Sequence, residues 1–178
     1  MANTGPIVAA QLGECLELLP EVLSKVHIPL AEMDEWRETL ANANRKLPDA
    51  KRPDIPTLLG RWTQRGLLVL HELTPVQDER AMEFTAYIHP EQVASGRPSV
   101  DGSAIALART LIDLGEAQAL LADERKIRLC AQRERVAAVG SIWLFTRMYE
   151  AGAMDFDRAQ QTLQLARDRG QFYSEGLV

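Results

Sequence analysis

Cysteine is scarce in this chain: Cys15 and Cys130 are the two thiols in 178 residues, far apart and set among apolar neighbours. Without a CxxC pair or a Cys/His cluster the pattern argues against structural zinc, and for reduced, buried thiols in a cytoplasmic protein. No apolar run approaches the length of a membrane span, and the N-terminus lacks the charged-then-apolar order of a signal peptide, so neither membrane insertion nor export is expected. Positive charge is in deficit as well. A net charge of −5 gives no global attraction for nucleic acid, so a polyanion has to be met by a local basic patch. There is no internal repeat and no low-complexity tract. No glycine-rich phosphate loop follows a strand, which disfavours a nucleotide- or small-ligand-binding α/β protein.

What is present is ordinary globular composition, 46% hydrophobic and 25% charged, enough for one domain with a sizeable core over residues 1–178. Gly5 and Pro6 read as a turn. Residues 7–23 follow as a helix-like stretch with Leu12, Leu16 and Leu19 at core spacing, and Pro20 starts a second short helix. Val26 to Ile28 is a short strand closed by Pro29, followed by a helix from about Ala31 to Ala43. The proline-rich middle reads as a loop around one short helix with Leu58, Leu59 and Trp62, and "LLVLHEL" is the best strand candidate. A helix is expected over Glu79–His89. From Asp101 onward helices and strands alternate: "DGSAIALARTLIDLG" (helix), "AQALLAD" (strand), "ERKIRLCAQRE" (helix), "VAAVG" (strand), then two helices stopped at Gly152 and Gly170. Such alternation predicts an α/β fold, a three-layer α/β/α sandwich around a mainly parallel sheet.

In that class ligands gather at the carboxyl ends of strands. Three acids qualify: Glu35 after "VHIP", Asp101 at the start of a helix, and Asp123 at the end of "ALLAD". Each also has a purely structural explanation. Asp101 and Asp123 suit helix N-caps, and Glu35 suits a solvated helix face. The functional reading requires the three to converge.

The order "NTGPIVA", "IPLAEMDEW", "VDGSAIALA", "LLADERKIRLCA", "VAAVGSIWLFTRMYEAG" resembles the PIN domain superfamily, in particular its small prokaryotic members related to VapC-type toxins. The likeness spans almost the whole chain except an atypical stretch at about 37–97. It implies an acidic site that holds Mg²⁺ or Mn²⁺ through Asn3, Glu35, Asp101 and Asp123, with the three acids catalytic, and single-stranded RNA as substrate. "VD" stands where the family has "GE", and Asn3 is neutral where active members usually carry aspartate, with only two residues before it to form a first strand. The resemblance therefore leaves two readings: a metal-dependent endoribonuclease or its degenerate relative, and a non-catalytic PIN-like module binding protein or RNA. RNA and an antitoxin or other protein are the implied partners.

Arg125, Lys126 and Arg128, with Arg133 and Arg135, crowd the helix after Asp123. They suit phosphate binding or, equally, a solvated face balanced by Glu124 and Glu134. A homodimer is expected, with Trp143, Phe145 and Tyr149 as core or dimer contacts. None of His27, His71 and His89 is assigned to metal or acid–base work.

Overall fold

The computed structural model describes residues 1–171, so residues 172–178 of the expected 1–178 domain lie outside the described residues. Helix α1 runs from Thr4 to Leu12. Gly5 and Pro6 do not form the expected turn; they lie in the first turn of α1, where proline's missing N–H has no intrahelical partner to lose. Asn3 caps this helix by accepting from the Gly5 N–H. The expected stretch 7–23 breaks at Gly13 and resumes as a 3-10 turn, Leu16–Leu18, and α2, Leu19–Val22, with Pro20 in its first turn. A side chain at Gly13 would meet Thr162, so only glycine lets the end of α1 approach the later helix this closely.

Strand β1, Val26–Pro29, leads through a 3-10 turn, Leu30–Glu32, into α3, Met33–Asn44. The atypical middle segment is ordered as α3, then α4, Ile55–Gln64, capped by Asp54, then β2, Leu68–His71, and α5, Pro75–Ile88. The start of α5 precedes the expected Glu79 because Thr74 and Gln77 form a reciprocal capping box around Pro75. Helix α6, Val100–Asp113, is followed by β3, Leu120–Leu121, α7, Arg125–Arg133, β4, Ala138–Val139, α8, Ser141–Glu150, and α9, Phe156–Asp168.

The chain is thus mixed α/β with two short parallel strand pairs, β1 with β2 and β3 with β4. Residues 1–3 touch both. Ala2 donates to the His27 carbonyl at 3.3 Å, while Asn3 donates to Leu121 and Leu121 to Met1, each at 2.9 Å. Neighbouring residues here point into different hydrophobic clusters. Ala2 and Leu121 join Ile7, Trp36, Leu59 and Phe145, whereas Met1 and Leu120 join Phe84, Ile88, Ile105 and Ile127. This period-2 division buries both faces of the strands, as parallel strands require.

Trp36 and Phe145 are buried core residues, while Trp143 and Tyr149 are exposed. Cys15 and Cys130 are buried free thiols. Among the described residues no helix is long and apolar enough to cross a membrane.

Candidate acidic site

Each candidate residue sits where a parallel strand or a helix start delivers it. Asn3 follows the strand-like residues 1–2, Glu32 and Glu35 follow β1, and Asp123 follows β3. Asp101 occupies the first turn of α6, whose N-cap is Ser99, not Asp101: the Ser99 hydroxyl accepts from the Gly102 N–H. Freed from capping, the Asp101 carboxylate accepts from the Asn3 side-chain amide through Oδ1, and its Oδ2 lies 2.6 Å from His89 Nε2. The other ring nitrogen of His89 is 3.3 Å from Glu91. The hydrogen bond to Asp101 holds the His89 imidazolium above the usual histidine range.

Glu32 is the most perturbed group. It is 3% exposed, and neither carboxyl oxygen has a hydrogen-bond partner. Burial, then the neighbouring charges of Glu35 and Asp101, push it up to about 9. Glu35 is raised too, first by burial and then by Asp101 and Glu38. Glu32, Glu35, Asp101 and Asn3 therefore lie in one shared field.

Asp123 occupies a separate corner of that region. It does not cap α7, whose N-cap is Glu124 without a side-chain bond. Instead its Oδ1 accepts from the backbone N–H and the hydroxyl of Ser141, at 2.7 and 3.0 Å, at the start of α8, and Gln171 donates to its Oδ2 at 3.2 Å. A Cβ on Gly140 would lie 2.6 Å from Asp123 Oδ1, and one on Gly5 would lie 3.6 Å from Oδ2. Gly140 thus lets the start of α8 close on this carboxylate, and Gly5, in ordinary contact distance of it, links it to the Asn3 corner.

Among the described residues no group of three or more His, Cys, Asp or Glu side chains is arranged to hold a metal ion. Asp101 is engaged by Asn3 and His89, and Asp123 by Ser141 and Gln171. The donor set itself, carboxylates and an amide carbonyl, suits a hard cation.

Arg125, Lys126 and Arg128 are exposed on the first turns of α7, with Lys126 donating to the Ile88 carbonyl at 3.5 Å. Arg128 reaches toward Gly140, with Nη1 3.8 Å from where a Cβ would stand. Farther along, Arg133 stacks over the Tyr87 ring at 4.4 Å.

Two residues of this region escape the sequence reading. Glu32 precedes Glu35 by three residues, the one signal available, since that spacing brings two side chains to one side of a helical entry. His89 closes α5 twelve residues before Asp101 and meets it only because the intervening loop folds back. His27 and His71 are also partners, 2.8 Å apart across β1 and β2, and burial lowers both. Comparison with protein-family models, curated proteins and solved structures gives no match.

Proposed function

We propose that this chain is a PIN-like, metal-dependent endoribonuclease of single-stranded RNA, a three-layer α/β/α sandwich with a weakly active or latent site. The hydrogen bonds of residues 1–3 to both strand pairs support a single parallel order, β2, β1, residues 1–3, β3, β4. In that order the strand sequence reverses beside residues 1–3, running out to one side through β1 and β2 and to the other through β3 and β4, and such a switch point is where open α/β sheets bind ligands at their carboxyl edge. The two apolar clusters on opposite faces support helix layers on both sides.

One observation carries the functional reading: the Glu32 carboxyl is buried, unpartnered, and beside Glu35 and Asp101. Buried polar groups in native proteins are nearly always hydrogen-bonded, and leaving one unmade costs about 1–3 kcal/mol. Without metal the raised pKa keeps Glu32 protonated at neutral pH; a divalent cation beside Glu35 and Asp101 would instead hold it as a carboxylate and supply the partner it lacks. Glu32, Glu35 and Asp101, not arranged around an ion among the described residues, would have to close on Mg²⁺ or Mn²⁺, with Asp101 exchanging its Asn3 or His89 contact for the ion, Asn3 offering its carbonyl oxygen and Asp123 standing behind the start of α1. Bound there, the ion would polarise a phosphodiester and acidify a water. His89 and Asn3 orient Asp101, and Arg125, Lys126 and Arg128 offer cations for the phosphates of a strand reaching the site.

The second reading, a degenerate, non-catalytic module that binds protein or RNA, is favoured by a specific feature: both oxygens of Asp101 are already engaged. Assaying cleavage of single-stranded RNA with Mn²⁺, Mg²⁺ or EDTA, in wild type, Asn3→Asp and Glu32→Gln, separates the two. The nuclease reading expects metal-dependent cleavage that rises in Asn3→Asp and disappears in Glu32→Gln. Silence from all three favours the binding module.

A further inference from the structure

A cavity of about 630 Å³ opens beside Glu32 and Glu35 and extends toward the exit of β2. Four carboxyl groups line it, Glu32 and Glu35 from the β1 exit and Glu72 and Asp78 from the β2 exit and the start of α5. Arg97 is the one Lys or Arg side chain on its wall, and it forms an ion pair with none of the four among the described residues. The His71 ring also lines it, held toward its neutral form by burial. Between the acids the wall is apolar, made by Leu30, Leu73, Pro98 and Val100. Glu32, whose carboxyl oxygens are buried and have no hydrogen-bond partner, is among its lining residues.

We propose that this cavity is a binding site for an aliphatic diamine, a small organic dication carried on a methylene chain. Three features select that chemistry. The volume is far beyond a single ion and falls in the range of small-molecule sites. Carboxyls outnumber the guanidinium four to one, and with Glu32 protonated the other three acids still outnumber it, which repels phosphates and favours ammonium groups. The acids leave two neighbouring strands, paired through Pro29 and His71, with apolar wall between them, so one ammonium faces Glu32 and Glu35, the methylenes cover Leu73 and Val100, and the other ammonium faces Glu72 and Asp78. This assignment stands beside the nuclease reading and shares Glu32 and Glu35 with it, whereas Glu72 and Asp78 belong to the cavity alone.

The test is thermal unfolding of the full chain in EDTA with 1,4-diaminobutane, against n-butylamine and sodium chloride at matched ionic strength. A ligand that binds only the folded state raises the melting temperature by mass action. The diamine is expected to raise it more than either control. Glu72 and Asp78 are exposed, so Glu72→Gln with Asp78→Asn leaves the fold intact. That pair is expected to weaken diamine affinity roughly fivefold or more, while the Mn²⁺ response, read in a separate melt without EDTA, is kept. Arg97→Ala, which removes the competing cation, is expected to strengthen it. No shift beyond the controls, or equal shifts in wild type and the double variant, would overturn the site. Loss of the Mn²⁺ response alone would count only against the metal centre.

Discussion

His89 Nε2 lies 2.6 Å from Asp101 Oδ2, a contact made across the loop that joins α5 to α6. Because the carboxylate holds the imidazolium, the folded-state pKa of His89 is above its unfolded value of 6.5. The stabilisation is therefore complete below about pH 6.5 and is lost as pH rises through the elevated folded value. An NMR titration is expected to show His89 protonated to higher pH than an ordinary histidine, and His89→Gln to remove that part of the pH dependence of stability.

Glu32 works in the opposite sense to most acids. Its folded pKa, about 9, is above the reference 4.5, so its contribution is present below about pH 4.5 and is lost as pH rises toward 9. In EDTA, Glu32→Met is expected to stabilise the protein at neutral pH by about 1–3 kcal/mol, since it replaces an unpartnered buried carboxyl by an apolar chain. The gain should grow between pH 5 and 9 in chemical denaturation. A loss of stability at every pH would mean that Glu32 has a partner in solution.

Gly140 and Asp123 are matched sterically. Gly140 has φ −109°, which any residue adopts, so the cost of Gly140→Ala comes from its Cβ meeting Asp123 Oδ1. Urea unfolding is expected to register about 1–3 kcal/mol of destabilisation. In an Asp123→Ala background the same change should cost less, and additive losses would refute the contact.

The basic turn of α7 gives a test by salt. If Arg125, Lys126 and Arg128 meet phosphates, neutralising all three should weaken binding of single-stranded RNA and lower the slope of log K against log salt by roughly 2, at about 0.7 per phosphate. An unchanged slope in a filter-binding titration would return these residues to a solvated helix face.

The strands and helices were legible where periodicity and punctuation agree. Val26–Pro29 and Leu68–His71 form strands as their β-branched and apolar residues predict, and α4 carries Leu58, Leu59 and Trp62 into the core. Gly5 and Pro6 misled because the same pair suits a turn and a helix start, and the Asn3 cap decides between them. Asn3 and Asp101, which only the PIN resemblance places in one site, are joined by the Asn3 amide, whereas Asp123, expected to converge with Glu35 and Asp101, is held by Ser141 and Gln171. Glu32 and His89 were illegible: local spacing does not reveal that one is sealed without a partner while the other is carried across a loop. Nor does a capping pattern reveal that Asp123 serves α8 and not the helix it precedes.

The central claim is that Glu32, Glu35 and Asp101 form a divalent-cation site. Calorimetric titration of metal-free protein with Mn²⁺ tests it most directly, in wild type and in Glu32→Gln and Asp101→Asn. The account predicts one ion bound per chain in wild type, weakened at least about tenfold in either variant by loss of a charged ligand. No binding by wild type, or equal binding by all three proteins, would contradict it.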